Sequence, residues 1–201
     1  MLTALILAAG ESTRMGTPKA LLPDPDGRAF VARIVRTFAT AGIHDIIIVT
    51  GSQHDAIEAA LTADRSPVTP RLVRNPDPSR GQLSSLWAGL DALDDDAAGV
   101  LVTLVDVPML RASTIRAVVD AWHEQRAPIV RPAMGDRHGH PVLFDRATFD
   151  ELRRAPLTEG AKAVVHAYAD RLINVAVDDP GALVDVDTPR DYARVITEGP
   201  S

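Results

Sequence analysis

The sequence predicts an α/β fold with a mostly parallel mixed sheet, in one domain over residues 1–201. Near-continuous apolar runs at 2–9, 45–51 and 99–106 alternate with segments whose apolar residues recur at helical spacing. Such runs are typical of strands that are buried on both faces, as in a parallel sheet. Strands that alternate with helices are joined by right-handed crossovers and stack in layers.

Two helices are predicted between these strands and a third after the last of them, because apolar residues fall at positions i, i+3, i+4 and i+7. Gly42 ends the first of them. The apolar positions of the three helices are, in order, Val31, Ile34, Val35 and Phe38; Leu83, Leu86, Trp87 and Leu90; and Ile115, Val118, Val119 and Trp122.

The second half of the chain has a less regular pattern. Segments 128–134 and 140–145 read as two strands around a glycine-containing turn, antiparallel to each other. Segment 171–177 predicts a late strand. Segment 188–199 predicts a closing helix, with Thr188 as its cap and a proline in its first turn.

Composition excludes several classes of protein. Cysteine is absent from the 201 residues, which excludes disulfides and thiolate metal sites and fits the reducing cytoplasm, where we place the protein. No apolar run approaches the roughly 20 residues that span a bilayer, and no basic residues precede the apolar start as in a signal peptide. A net charge of −6 argues against binding of nucleic acid or anionic membranes.

Three loops with polar residues follow predicted strands. Residues 10–19 follow the strand at 2–9, residues 75–85 lead into the predicted helix that contains Leu83, and residues 106–108 follow the strand at 99–106. In an open α/β sheet, ligands bind beyond the carboxyl ends of the strands. We therefore expect these loops to form one binding site.

The first loop contains two glycines and two cations. Gly10 and Gly16 allow the backbone to approach a ligand and to present N–H groups to phosphate oxygens. Arg14 and Lys19 supply the local positive charge that an acidic protein needs for binding phosphate. The spacing matches neither the Rossmann nor the Walker motif, and a surface turn with solvated charges is the alternative.

Five segments, in this order, resemble motifs of the MobA-like nucleotidyltransferases, and most of all those of the molybdenum cofactor cytidylyltransferases. LAAGESTRMGTPK at 7–19 resembles the signature L-A-x-G-x-S-x-R-M-G-x-x-K. GQLSSLWAGL at 81–90, LVDVPML at 104–110, GHPVLFD at 139–145 and DVDTPRDYAR at 185–194 resemble the later motifs. The resemblance covers essentially the whole chain. It implies a Rossmann-like, three-layer α/β/α nucleotidyltransferase fold.

The resemblance also implies a reaction, in which CMP is transferred from CTP to the phosphate of molybdopterin and pyrophosphate is released with the help of Mg²⁺. The attacking phosphate is already an anion near neutral pH, since its second pKa is about 6, so no strong protein base is required. Arg14, Lys19 and Asp106 are the implied catalytic residues. The implied nucleotide site contains Leu7, Ala8, Ala9, Gly10, Glu11, Ser12, Arg14, Gly16, Lys19, Asn75, Gly81, Ser84 and Ser85.

Carboxylates after two of the apolar segments are candidate metal ligands. Asp106 ends a buried strand and either caps a helix or binds Mg²⁺, and the resemblance favours the metal. Asp185 and Asp187 share a face of an extended segment, and we prefer Asp187 as the second ligand because it adjoins the start of the last helix. Asp191 is expected to be an acidic residue of the first helical turn.

Several alternatives stay open from the sequence. Ser84 and Ser85 could simply cap a helix, and Asn75, a candidate for reading the base edge, could be only a turn residue. The resemblance places His140 and Pro141 at the acceptor pocket. A transition-metal site at His138, His140 and Asp136 is disfavoured, since no further ligands lie nearby in sequence.

Base and acceptor choice depend on a few positions. Alanine at Ala9, where guanylyl-transferring relatives tend to have glycine, favours CTP. Trp87, Glu159 and Lys162 depart from the resembling pattern and bear on acceptor specificity. The alternatives are a guanylyltransferase of the molybdenum cofactor, a cytidylyltransferase for sugar or isoprenoid phosphates, and a non-catalytic nucleotide-binding regulator. A transient encounter with a molybdoenzyme or its chaperone is implied as well.

Overall fold

The computed structural model describes residues 1–10, 12 and 15–198, without the side chain of residue 198. A sheet of eight strands forms the centre of the molecule. The strands are β1 (Leu2–Ala8), β2 (Ile46–Thr50), β3 (Arg71–Arg74), β4 (Gly99–Leu104), β5 (Ile129–Met134), β6 (Arg137–His138), β7 (Val142–Asp145) and β8 (Ile173–Ala176). The helices are α1 (Phe30–Thr40), α2 (His54–Asp64), α3 (Gln82–Asp91), α4 (Ala112–Gln125), α5 (Phe149–Arg154), α6 (Ala161–Ala167) and α7 (Pro189–Glu198).

The strands follow the order β3-β2-β1-β4-β7-β5-β6, and β8 pairs with β5. The pairs β1–β2, β1–β4, β2–β3 and β5–β8 are parallel, whereas β4–β7, β5–β7 and β5–β6 are antiparallel. The prediction of an α/β fold with a mostly parallel mixed sheet is confirmed. The carboxyl ends of β1 and β4, which are neighbours in the sheet, therefore lie at the same edge.

Successive residues of β1 pack against opposite layers of helices, as the twofold repeat of a strand requires. Ala4 and Ile6 pack in a cluster with α1 and α4, whereas Leu5 and Leu7 pack with α3, α5 and α6. All four of these side chains are buried. The implied three-layer α/β/α arrangement is thus confirmed.

The three helices expected from apolar spacing are present as α1, α3 and α4, and α7 begins at Pro189. Helices α2, α5 and α6 were not predicted. Helix α2 buries only Ile57 and Leu61, and α5 and α6 have six and seven residues, so none has a long apolar stripe. Within the described part of the chain, no helix combines the length and apolarity that crossing a bilayer requires.

The segment that follows β8, residues 177–187, crosses the carboxyl edge of the sheet. We call it the crossing segment. Two glycines allow close backbone contacts along it: a Cβ on Gly181 would lie 2.2 Å from the carbonyl oxygen of Met109, and one on Gly139 would lie 2.2 Å from that of Ala182. A small cluster around Phe30 and Val186 then anchors α7 beside the loop after β1.

Candidate active site

The loops after β1 and β4 meet in an ion pair. Lys19 lies in a 3₁₀ turn at Lys19–Leu21, and its Nζ lies 3.1 Å from Oδ2 of Asp106, 87 positions further along the chain. Asp106 is the second residue after the end of β4, and the backbone N–H of the intervening Val105 donates to the carbonyl of Leu7 at 3.1 Å. Parallel pairing of β1 and β4 thus brings the cation and the carboxylate together.

Ser12 shapes the glycine loop. Its carbonyl accepts a hydrogen bond from Met15 N at 2.9 Å, and its Oγ accepts one from Lys19 N at 3.0 Å. Ser12 and Gly16 have φ angles of 53° and 66°, so the loop turns through the left-handed region at both positions. Glu11 and Arg14, predicted as site residues, lie outside the described residues.

The crossing segment adds a second carboxylate to Lys19. Val186 N donates to the carbonyl of Asp106 at 2.8 Å, which fixes the segment against the loop after β4. Asp187 Oδ1 then lies 2.6 Å from Lys19 Nζ. One ammonium group therefore bridges carboxylates of two distant parts of the chain. The side chain of Asp187 is 38% exposed and that of Lys19 only 11%, so the bridge opens to solvent on the Asp187 side.

The charges around Lys19 favour the protonated, positively charged form of its side chain. Burial lowers the pKa of its ammonium group, but the hydrogen bond to Asp187 and the charge of Asp106 outweigh burial and raise the pKa overall. Exclusion of water by the surrounding protein, and then the charge of Asp106, raise the pKa of the nearby Asp185 carboxyl. Two carboxylates thus contact Lys19, and the third, Asp185, lies close enough to Asp106 for their negative charges to oppose each other.

The carboxylates fit a hard divalent cation. Asp106 Oδ1 is buried and has no hydrogen-bond partner among the described residues, although such an oxygen normally requires one. A metal ion would satisfy it. Among the described residues there is no group of three potential ligands of the kind that forms an all-protein cage. Mg²⁺ typically takes one or two carboxylates and completes its shell with water and substrate phosphates.

A pocket of about 260 Å³ opens directly above this cluster. It lies between the glycine loop, the N-terminus of α3 and the end of β4. Of the predicted nucleotide and metal residues, it is lined by Leu7, Ala9, Gly10, Ser12, Lys19, Gly81, Ser85, Asp106 and Asp187. Ala8, Gly16, Asn75 and Ser84, also predicted for the nucleotide site, do not line it, and Gln82 lines it without having been predicted.

Ala9 is held in place by a glycine from the neighbouring strand. Gly51 follows β2, and a Cβ at this position would lie 2.7 Å from the carbonyl oxygen of Ala9, well inside van der Waals contact. Only a residue without a side chain allows this approach. Gly51, which sequence reasoning did not single out, therefore fixes the start of the glycine loop.

A second pocket, of about 950 Å³, adjoins the first and shares Leu7, Gln82 and Leu104 with it. Its inner wall is apolar, with Leu83, Leu86 and Phe144 among its residues. Its remaining polar and charged lining comes from Arg131, His138, His140, Thr158, Glu159, Lys162, His166 and Asp185. Arg131, Thr158 and His166 were not predicted, because the strand, the loop and the helix in which they lie carry no motif.

The second pocket receives the predicted acceptor residue His140 but not Pro141. The half-buried ring of His140 places Nδ1 3.3 Å from the carbonyl of Val102. Burial lowers the pKa of this imidazole, against the opposing effects of that carbonyl and of Asp185. Burial thus favours the neutral form of His140 at the wall of the pocket.

Other candidates from the sequence have different surroundings. His138 and Asp136 are exposed, and no group of three metal-ligating side chains forms there within the described chain. Trp87 lines neither pocket: its indole Nε1 donates to the carbonyl of Leu152 at 2.8 Å and ties α3 to α5. Asp191 caps α7 by accepting from Thr188 N at 2.9 Å, which confirms its predicted place in the first turn.

The three-layer fold and the cation–carboxylate site beneath a pocket define a nucleotidyltransferase. The family model described as the MobA-like NTP transferase domain matches residues 4–172, and the chain belongs to this family. The chain is 32% identical to a probable molybdenum cofactor guanylyltransferase of Rhodopirellula baltica, over 94% of this chain and 89% of the relative.

Other curated relatives carry different names. Nicotine blue oxidoreductase of Paenarthrobacter nicotinovorans is 36% identical, over 71% of this chain and 70% of its own length. The bifunctional protein GlmU of Anaeromyxobacter dehalogenans is 35% identical over 64% of this chain. The match spans only 26% of the length of that GlmU protein.

Solved structures share the whole fold. Rv0371c of Mycobacterium tuberculosis H37Rv superposes with a TM-score of 0.81 at 30% identity, over 97% of each chain. A nucleotidyl transferase of Methanothermobacter thermautotroptrophicus gives 0.78 at 25% identity, over 97% of this chain and 95% of its own. Rv0371c has also been solved as a complex with manganese, which superposes with a TM-score of 0.78 at 28% identity over 98% of each chain.

Proposed function

We propose that the protein is a Mg²⁺-dependent cytidylyltransferase that acts in the cytoplasm. It transfers CMP from CTP to the terminal phosphate of the molybdopterin cofactor and releases pyrophosphate. The observation that carries this proposal is the position of Lys19, Asp106 and Asp187, which lie together in the lining of a small pocket that adjoins a larger one. CTP occupies the smaller pocket and the acceptor the larger.

The reaction forms one phosphoanhydride bond and breaks another. An oxygen of the acceptor phosphate attacks the α-phosphorus of CTP, and the bond from that phosphorus to the bridging oxygen of pyrophosphate breaks. The attacking oxygen is already ionised near neutral pH, so no proton has to be removed by the protein. Alignment of the reactants and neutralisation of charge supply the catalysis.

Residues of the described chain divide these tasks. Lys19 neutralises negative charge on the phosphates, and Gly10 and Ser12 border the space where they bind. Asp106 and Asp187 would hold the metal ion, which would supply positive charge to the phosphate oxygens. Asp185 opens onto the larger pocket rather than the smaller one, which supports Asp187 as the second ligand.

The acceptor pocket supports a large, partly apolar phosphate ester. Its volume of about 950 Å³ and its apolar inner wall suit a fused-ring compound better than a small sugar phosphate. Arg131 and Lys162 line it and have no carboxylate partner within the described chain. They provide positive charge for an anionic acceptor. Transfer of the product to a molybdoenzyme or its chaperone then follows through a transient contact.

A guanylyltransferase is the second candidate, because a relative that aligns over 94% of this chain carries that name. Ala9 distinguishes the two. It is 7% exposed and lines the smaller pocket, where its methyl group narrows the space for a purine. A contact of this kind is worth about 1–3 kcal/mol of discrimination.

The test is a panel of CTP, GTP, UTP and ATP with the molybdenum cofactor as acceptor, scored for dinucleotide and pyrophosphate. We expect CTP to give the highest kcat/KM. The variant Ala9→Gly is expected to narrow the preference for CTP over GTP by about tenfold, with an unchanged KM for the acceptor. A preference of the wild-type enzyme for GTP would refute the base assignment, and turnover only with sugar or isoprenoid phosphates would refute the acceptor. Nucleotide binding without turnover of any acceptor would indicate a regulator.

A further inference from the structure

We propose that Asn75 does not contact the nucleotide but acts as a positioning residue, which turns the hydroxyl of Ser85 into a hydrogen-bond donor aimed at the nucleotide. The proposal rests on the proposed function only in that a nucleotide occupies the smaller pocket. It deepens that function, because it assigns how one wall of the pocket recognises its ligand.

The orientation of the Asn75 amide is determined by its neighbours. The backbone N–H of Asp77 donates to Oδ1 of Asn75 at 3.0 Å, and an N–H group cannot donate to the amide nitrogen. The nitrogen Nδ2 therefore faces the opposite way, towards α3. It donates one hydrogen to Ser84 Oγ at 2.8 Å and the other to Ser85 Oγ at 3.0 Å.

These three bonds use the polar groups of the Asn75 side chain. The residue is 4% exposed and does not line the nucleotide pocket. Donating to a base edge would require Asn75 to break a bond that its amide nitrogen already makes inside the protein, where an unpaired polar group costs about 1–3 kcal/mol. The second lone pair of Oδ1 belongs to a residue outside the pocket lining. Its role is therefore to orient the two serines.

The two serines differ in whether their hydroxyl hydrogen is still free to be donated to a ligand. Each hydroxyl accepts from Asn75, so each must donate its single hydrogen elsewhere. Ser84 donates to the carbonyl of Gly81 at 2.7 Å, which closes the first turn of α3. Ser84 also lies away from the pocket lining.

The hydroxyl hydrogen of Ser85 remains available for a hydrogen bond to a ligand. Within the described chain, nothing accepts a hydrogen bond from its hydroxyl, although the residue is only 4% exposed. Ser85 lines the nucleotide pocket beside Gly81 and Gln82. Because one lone pair is held by Asn75, the O–H bond points away from Asn75, and the pocket is where an acceptor can meet it. The ligand atom that completes the arrangement is an acceptor oxygen or nitrogen of the nucleotide.

A double-mutant cycle tests this inference through binding alone, with calorimetry on the full chain in the presence of Mg²⁺ and no acceptor. The ligand is whichever of CTP, UTP, GTP and ATP the wild-type chain binds most tightly. Ser85→Ala removes the donor and is expected to weaken binding about tenfold. Asn75→Asp removes the amide donor, so that Ser85 donates to the new carboxylate instead, with a similar loss.

The double variant separates positioning from a direct effect. Asn75→Asp raises the Kd of the nucleotide by some factor in the wild-type background and by another in the Ser85→Ala background. If Asn75 acts through Ser85, the second factor is smaller than the first by about threefold or more. The same factor in both backgrounds would overturn the inference, because the new charge would then act on the nucleotide directly. A loss below about twofold for Ser85→Ala would also overturn it. Thermal unfolding of each variant checks that the fold persists.

Ser79→Ala is the matched control. Ser79 lies in the same loop and is exposed, and among the described residues its hydroxyl bonds only to the Asp77 side chain, so its removal is expected to leave nucleotide affinity unchanged. Binding of inorganic tripolyphosphate, which lacks the nucleoside, shows which part of the nucleotide accepts the hydrogen bond from Ser85. An equal loss for tripolyphosphate on Ser85→Ala assigns the contact to the phosphates, and an unchanged affinity assigns it to the nucleoside. Either result supports the donor role. Tightest binding of GTP would refute the CTP assignment and leave this inference intact.

Discussion

Replacing Asp106 by asparagine is expected to abolish turnover while leaving the fold intact. The substitution keeps the size of the side chain and removes its charge. Oδ2 of Asp106 pairs with Lys19 Nζ at 3.1 Å, and the buried Oδ1 has no partner in the described structure. The variant Asp106→Asn thus removes one half of the ion pair and the oxygen that we assign to the metal.

The change in stability is expected to be small. Two unit charges about 3 Å apart attract by roughly 5 kcal/mol at an effective dielectric constant of about 20, but most of this attraction offsets the cost of taking the charges out of water. Lys19 keeps Asp187 at 2.6 Å, and the repulsion between Asp106 and Asp185 disappears. We expect a net loss of about 1 kcal/mol in the free energy of unfolding.

The change in turnover is expected to be large. A metal ion on transferring phosphoryl groups contributes several kcal/mol to the stabilisation of the transition state. A loss of about 4 kcal/mol corresponds to roughly a thousandfold lower kcat. Stability and turnover should therefore separate clearly in this variant.

The assay measures pyrophosphate release from CTP and the molybdenum cofactor at saturating Mg²⁺, beside urea unfolding of the same preparations. Asp191→Asn is the matched control, because Asp191 caps α7 in the same region and does not line either pocket. We expect that control to lose some stability and to keep its kcat. A kcat for Asp106→Asn within about tenfold of the wild-type value would refute the assignment of Asp106 to the metal.

Two further predictions follow from the site. Gly51→Ala places a methyl group 2.7 Å from the carbonyl oxygen of Ala9, so the glycine loop must shift. We expect the KM for CTP to rise about tenfold with an unchanged acceptor KM, and unchanged kinetics would show that the loop position is unimportant. Asp185→Asn should stabilise the metal-free protein at neutral pH. Since exclusion of water and the charge of Asp106 raise the folded-state pKa of Asp185, the folded state binds its proton more tightly, and stability falls as the pH rises from the unfolded-state pKa through the folded-state one. The stabilisation, measured as the difference in Tm in the presence of a chelator, should therefore be larger at pH 7 than at pH 4, and a difference independent of pH would contradict it.

Local patterns predicted most of the fold. The runs at 2–9, 45–51 and 99–106 contain the buried parallel strands β1, β2 and β4, because a strand covered on both faces needs apolar residues at successive positions. The apolar stripes likewise gave α1, α3 and α4 their inward faces. Helix α2 was not predicted, because its apolar face towards the core is narrow. Its position follows from the need to connect the parallel strands β2 and β3.

The motif residues also predicted much of the site. Lys19, Asp106 and Asp187 come together although 168 positions separate the first from the last. The roles of Asn75 and Ser84 could not be read from the sequence. Asparagine in a turn and serine at a helix start fit either ligand contact or internal hydrogen bonding, and only the direction of each bond decides between them.

The sequence by itself determined the α/β class, the order of its main elements and the residue types that we propose to bind phosphate and metal. These properties depend on local periodicity and on chemistry that a side chain carries anywhere. Tertiary structure decided which carboxylate lines which pocket, why Gly51 must lack a side chain, and which hydrogen bonds Asn75 makes with the two serines. These properties depend on distances between segments that only packing of the sheet, α3 and the crossing segment brings together.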